Sequence, residues 1–172
     1  MPLGDQDRAA FCCGTPELDK YFLERASRDV REKISAVFVL LREDDQEKVL
    51  GYYTLSSLYV DAGDLPEDLR KRAGRYRQFG GTLIGRLAID ESVRGTGLGG
   101  MLLFDALVRA LEGTKTVMSF AVLVDAKDEN AKAFYQKHGF IPLKDKRLFL
   151  PMKTIEKMPA VQAILQPAQN LL

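Results

Sequence analysis

The sequence predicts an α/β domain in which helices pack on a mixed β-sheet. Three observations carry that expectation. Helix-period and strand-like apolar segments alternate through the second half of the chain, after a helix and a hairpin in the first. At 172 residues the chain has about the length of one domain and can bury a core without disulfides or a metal. A hydrophobic fraction of 46% beside a charged fraction of 28% is that of an ordinary globular protein, which excludes disordered and fibrous classes. No internal repeat or low-complexity stretch interrupts the pattern.

Thr15-Pro16-Glu17-Leu18-Asp19 offers an N-cap residue, proline at the first helical position and acids in the first turn. Leu18, Phe22, Leu23 and Ala26 follow at helical spacing, so a helix is expected to about Arg28. Apolar runs at 36–41 and 49–55, separated by the charged stretch 42–48, predict an antiparallel hairpin. From 61 to 81 the chain turns polar and reads as a long loop-like insertion. A short helix begins there near Leu65-Pro66-Glu67, and Arg70, Lys71, Arg72, Arg75 and Arg77 make the segment basic.

Residues 82–90 predict a buried strand. A glycine cluster then opens a helix with Leu98, Met101, Leu102, Ala106, Leu107 and Leu111 on its apolar face. A strand is expected at 117–124 and an amphipathic helix at 128–138, stopped by Gly139. A last strand follows at 146–152. The tail, 154–172, has scope for a further helix broken at Pro159 and Pro167.

The 25 basic and 24 acidic side chains nearly cancel, so the chain as a whole carries no nucleic-acid footprint, although local patches remain open. Cys12 and Cys13 are adjacent and have no third cysteine to pair with, which fits a reducing compartment. With one histidine in the chain, a small-hydrophobe role for this pair outweighs a metal site. The N-terminus has no apolar signal core and no segment approaches a membrane span, so the expected location is cytoplasmic with no membrane partner.

Gly95, Gly97, Gly99 and Gly100 lie between a strand and a helix, where bare backbone lets several N–H groups turn toward an anion that the helix dipole also favours. Phosphate binding is the physical default. Gly95, Gly97 and Gly100 also satisfy the G-x-G-x-x-G dinucleotide fingerprint, with Asp125 ending the next predicted strand. Against that reading, the fingerprint belongs in the first strand–turn–helix of a larger sheet, and here a helix, a hairpin and an insertion come first. No Gly-Lys-Ser or Gly-Lys-Thr follows, which disfavours a nucleotide-hydrolase loop. A tight turn with no ligand is the remaining alternative.

Arg94-x-x-Gly97-x-Gly99, after Leu83-Ile84-Gly85-Arg86-Leu87-Ala88-Ile89-Asp90, resembles the acyl-CoA signature of the Gcn5-related N-acetyltransferases (GNAT). Asp128-x-Asn130-Ala131-x-Ala133-Phe134-Tyr135-x-x-x-Gly139-Phe140 resembles that family's second cofactor and catalytic segment. The resemblance covers about 11–153. It implies the GNAT acyl-CoA N-acyltransferase fold, with a mostly antiparallel central sheet and helices on both faces, over residues 1–153, and leaves 154–172 as a tail. It implies acetyl-CoA as cosubstrate and no metal. Leu87, Ala88 and Ile89 would pair with the pantetheine arm where their strand splays from its neighbour. The N–H groups of Arg94, Gly95, Thr96, Gly97, Leu98, Gly99 and Gly100 would surround the pyrophosphate, and Asn130 would bond the pantetheine or phosphate region. Tyr135 would give a proton to the departing CoA thiolate, its ordinary pKa near 10 being suited to a thiol. His138, three residues on, is expected to cap the helix instead. The base that takes the amine proton is left among Asp90, Glu91 and water.

Phe11-Cys12-Cys13-Gly14, Gly51-Tyr52-Tyr53-Thr54-Leu55 and Leu148-Phe149-Leu150-Pro151-Met152-Lys153 narrow the resemblance to acetyltransferase toxins of bacterial type II toxin–antitoxin pairs. It implies acetylation of the α-amine of aminoacyl-tRNA, a block to translation, and silencing by a ribbon-helix-helix antitoxin. The expected partners also include a second copy of the chain, as a homodimer. The basic insertion, with Lys144, Lys146 and Arg147, would meet the tRNA backbone. Two alternatives stay open: an acetyltransferase for a small amine or a protein amine, and a catalytically silent CoA- or partner-binding module.

Overall fold

The computed structural model of the chain describes residues 1–42, 44 and 48–165. The predicted hairpin connection 42–48 and tail 154–172 therefore lie partly outside the described residues. The elements run α1 (Pro16–Glu24), α2 (Ala26–Arg31), β1 (Ala36–Leu41), β2 (Val49–Asp61), α3 (Glu67–Ala73), β3 (Gln78–Ile89), α4 (Leu98–Gly113), β4 (Ala121–Asp125), α5 (Glu129–Lys137), β5 (Ile141–Pro142), β6 (Arg147–Pro151), α6 (Met152–Glu156) and α7 (Pro159–Leu165). The strands form one six-stranded sheet in the order β1-β2-β3-β4-β6-β5. β1 with β2, β4 with β6 and β5 with β6 are antiparallel pairs. This is the mixed, mostly antiparallel sheet with helices that the sequence predicts.

Two compact units divide the chain, one of 1–56 with 83–106 and the other of 57–82 with 107–172. In the first, α1 carries Tyr21 and Phe22 into a core with Phe11, Cys13, Val37, Val39, Val49, Tyr52 and Ala88. The rings of Phe22 and Tyr52 stack with centroids 4.3 Å apart, and Phe11 meets Phe22 edge-on at 5.0 Å. The helix expected to about Arg28 breaks at Arg25 (φ −120°) and restarts as α2, which buries Ala26 completely.

In the second unit, residues 121–124 of β4 are fully buried, as a near-continuous apolar strand covered on both faces should be. β4 begins at Ala121 and not at the predicted 117. The N–H groups of Thr114, Lys115, Thr116 and Val117 still bond back to carbonyls of the last turn of α4, so the chain is unwinding from the helix there. Val117 and Met118 are consequently exposed. β3 begins at Gln78, earlier than the predicted 82, because Ala62 N–H donates to Arg77 O (2.8 Å) and holds the polar end of the insertion in the sheet. Beyond Lys153, Ile155 and Val161 have no exposed surface, so α6 and α7 pack as part of this unit.

Candidate functional site

The predicted site residues fall into two groups, one in each unit. Residues 87–100 belong to the first; Asn130 and Tyr135 belong to the second.

Leu87, Ala88 and Ile89 end β3, with Ala88 buried and its neighbours half-buried. Gly51 of β2 passes close beneath: a Cβ there would come 2.9 Å from Ala88 O. Asp90 then leaves the strand and caps a single 3-10 turn, Glu91–Val93. Its buried carboxylate accepts from Cys12 N–H (3.0 Å), Ser92 N–H (3.0 Å) and Ser92 Oγ (2.5 Å). Burial pushes the Asp90 carboxyl up, but these hydrogen bonds outweigh it and hold the group below its ordinary value. A carboxylate so engaged is a clamp and a poor proton acceptor, which leaves exposed Glu91 and water as bases.

Gly95 (φ +79°) and Gly97 (φ +87°) take the left-handed backbone that L side chains resist. A Cβ on either would meet nothing within 4 Å, so the conformation, and no crowding by the protein, requires glycine at both. The N–H groups of Arg94, Thr96 and Gly100 are taken by Glu91 O (3.2 Å), Val93 O (3.4 Å) and Gly97 O (3.0 Å). Those of Gly95, Gly97, Leu98 and Gly99 have no acceptor among the described residues. Four open donors thus sit at the head of α4, a helix of 16 residues whose dipole adds positive potential there. The Arg94 side chain turns away from this array, donating to Cys13 O (2.8 Å) and lying 3.5 Å from Glu91 Oε1.

In the second unit, Asp128 caps α5 by accepting from Ala131 N–H (2.7 Å). Asn130 is exposed in the first turn. Tyr135 is 8% exposed, its ring held by Phe134 (5.2 Å) and Phe140 (5.4 Å). Its hydroxyl makes no hydrogen bond among the described residues, yet it is not sealed from solvent. Burial pushes the phenol up to about 12, a weaker acid than the ordinary value near 10 assumed from sequence. His138 is the C-cap residue, with Nδ1 2.8 Å from Phe134 O.

Asp125, the acid that a dinucleotide reading needs for a ribose, is engaged by Arg147 through two bonds of 2.7 and 2.8 Å. The Arg147 guanidinium, opposed by burial, holds this carboxyl below its ordinary value. The pair lines a cavity of about 600 Å³ with Tyr59, Asp61, Asp64 and Lys144, which sequence reasoning missed because its residues come from three separate segments. Among the described residues, no helix is long and apolar enough to cross a membrane, and no three His, Cys, Asp or Glu side chains gather as metal ligands.

A glycine turn with open N–H groups heading a long helix after the third strand, in a six-stranded sheet, offers a cradle for the phosphates of a cosubstrate. The family described as Acetyltransferase (GNAT) domain matches residues 33–142, and the chain belongs to that family of acetyltransferases. Its relatives include a probable toxin TacT of Sinorhizobium fredii, 32% identical with 88% of each chain covered. A tRNA-acetylating toxin of Mycobacterium tuberculosis is 34% identical, with 78% of each chain covered. Among solved structures, AtaT complexed with acetyl-methionyl-tRNAfMet superposes with a TM-score of 0.84 at 32% identity, covering 91% of this chain and 95% of that one. An AtaT tyrosine-to-phenylalanine mutant toxin bound to acetyl-CoA and the C-terminus of the antitoxin AtaR matches with a TM-score of 0.78 at 30% identity, covering 91% and 94%.

Proposed function

We propose that the chain is an acetyl-CoA-dependent N-acetyltransferase toxin that acetylates the α-amine of aminoacyl-tRNA and so blocks translation. The observation that carries this reading is the set of open N–H donors at Gly95, Gly97, Leu98 and Gly99, in a chain similar to tRNA-acetylating toxins over most of its length. Those donors suit the pyrophosphate of acetyl-CoA, and the absence of any Cβ clash at Gly95 and Gly97 leaves room for it. We assign Leu87, Ala88 and Ile89 to the pantetheine arm and Asn130 to the pantetheine or phosphate region. Arg94 acts by tying the turn to Cys13 O, and its own N–H is spent within the turn. Residues 1–153 are assigned to the acetyltransferase domain and 154–172 to a C-terminal extension.

Transfer forms a C–N bond, breaks the C–S bond, takes one proton from the amine and delivers one to sulfur. Tyr135 serves the sulfur side. A thiol titrates near 8.5, so full proton transfer from a phenol at about 12 is uphill. Tyr135 Oη contributes a hydrogen bond to the charge that builds on sulfur as the C–S bond lengthens, and the sulfur takes its proton from water, to which the amine has released one. The location that fits an aminoacyl-tRNA acceptor and two free cysteines is the cytoplasm. The expected regulator is an antitoxin, as AtaR is for AtaT in the solved complex.

Purified protein with labelled acetyl-CoA should acetylate charged but not uncharged tRNA, and the chain expressed alone should arrest bacterial growth. Transfer only to polyamines or peptides would retire the toxin reading while keeping the acetyltransferase.

A further inference from the structure

Tyr76 is 73% exposed at the end of the basic insertion, two residues before β3 begins at Gln78. An aromatic ring left in water there gains nothing from the fold, yet it is not loose. Its centroid lies 6.0 Å from Phe79, Phe79 lies 5.5 Å from Phe120, and Phe120 lies 6.5 Å from fully buried Phe149. This row of rings runs from the core to the surface. The backbone beside it is fixed too: Arg77 O accepts from Ala62 N–H (2.8 Å), and Gln78 Nε2 donates to Asp61 Oδ1 (3.0 Å). In the same segment of the chain, the exposed Arg70, Arg75 and Arg77 have no ion-pair partner among the described residues, whereas Lys71 is paired with Glu67 at 2.9 Å. Asp68 is the remaining acid of α3.

We propose that Tyr76 is a stacking platform for an unpaired base of the acceptor RNA, with Arg70, Arg75 and Arg77 on the neighbouring phosphates. The inference rests on the aminoacyl-tRNA reading above. An exposed ring that packs on Phe79 and is flanked in sequence by Arg75 and Arg77 suits single-stranded RNA, which offers a π-face and a phosphate per nucleotide. A duplex hides its bases and would use only the arginines. Tyr76 is thus a positioning residue: it holds the acceptor end and touches no reacting atom.

The test uses the full chain and a short single-stranded RNA carrying 2-aminopurine, whose fluorescence falls on stacking. Wild-type protein should bind and quench it. Tyr76→Ala should weaken binding about tenfold, the size of one lost base stack, and abolish the quench. Tyr76→Phe should keep both, and Tyr76→Leu, equally apolar but without a π-face, should behave like Tyr76→Ala. In acetyl transfer to aminoacyl-tRNA, Tyr76→Ala should raise the KM for tRNA about tenfold with kcat and the KM for acetyl-CoA unchanged. Wild-type quenching and affinity in Tyr76→Ala overturn the proposal. So does full function in Tyr76→Leu, which marks the ring as an ordinary apolar contact for a protein partner. If the wild type quenches the RNA probe but acetylates no charged tRNA, the functional reading fails while the stacking platform stands.

Discussion

Replacing Tyr135 by phenylalanine separates chemistry from packing, because the structure gives the hydroxyl and the ring different tasks. The ring contacts to Phe134 and Phe140 survive the change. The lost hydroxyl has no partner among the described residues, so no donor or acceptor there is orphaned. Stability should therefore move by less than about 0.5 kcal/mol, or roughly 1–2 °C in Tm for a chain of this size. A hydrogen bond aimed at charge that develops only during reaction is worth about 10²–10³ in rate. The expected result in labelled acetyl transfer is a kcat lower by that factor, with the KM for acetyl-CoA within about twofold of wild type. The phenol must be protonated to donate, and that form persists until pH rises through about 12, so Tyr135 puts no limb on the pH–rate profile near neutrality. A kcat within about threefold of wild type refutes the role. A fall of several degrees in Tm would show instead that the hydroxyl supports the fold.

Gly97→Ala forces a Cβ into left-handed backbone at about 1–2 kcal/mol, and Cβ finds no clash there. Acetyl-CoA affinity should fall about tenfold by calorimetry, while the same change at Gly113, in the last turn of α4, should leave affinity unchanged. Asp128→Ala removes the α5 cap and should cost about 1 kcal/mol in urea unfolding, most of it recovered by Asp128→Asn. The Asp90 carboxyl is held below its ordinary value, so its stabilisation is present above the usual carboxylate range and is lost as pH falls through the lower folded pKa. Asp90→Asn should be less stable than wild type at pH 7 by about 1–3 kcal/mol, and in thermal melts the gap should narrow as pH falls below the ordinary carboxylate range.

Much of the fold was legible because its signals are local and strong. Pro16 at the first position of α1, the apolar face of α4 and the continuous apolar run of β4 each name their element without tertiary help. The misplacements share one cause, which is that boundaries depend on partners. Gln78 is polar and reads as loop, but the bond between Ala62 and Arg77 extends β3 to it. Val117 and Met118 are apolar and read as strand, but the unwinding end of α4 claims the backbone N–H of Val117. The fully buried Ile155 and Val161 were equally unreadable in a tail with two prolines.

The candidate site shows the same division, and its N-terminal segment shows where resemblance lacked a reason. Phe11-Cys12-Cys13-Gly14 entered as a pattern shared with a family of toxins, with nothing local to explain it. In the structure it is the strap of the glycine turn. Cys12 N–H donates to Asp90, Glu91 N–H donates to Cys12 O (2.8 Å), and Arg94 reaches Cys13 O (2.8 Å). Gly14, at φ +74°, takes the left-handed backbone that L side chains resist, so glycine is required there on conformational grounds, while a Cβ would meet the movable end of the Glu91 side chain. Phe11 and Cys13 fasten this strap to the first unit's core. The pattern is thus tied to the glycine turn across a sequence separation of 78 that no local reading could bridge. Gly14→Ala should accordingly weaken acetyl-CoA binding although Gly14 belongs to no helix or strand of the site. If it destabilises the fold without altering affinity in the folded fraction, the strap serves the core alone and the turn holds its shape unaided.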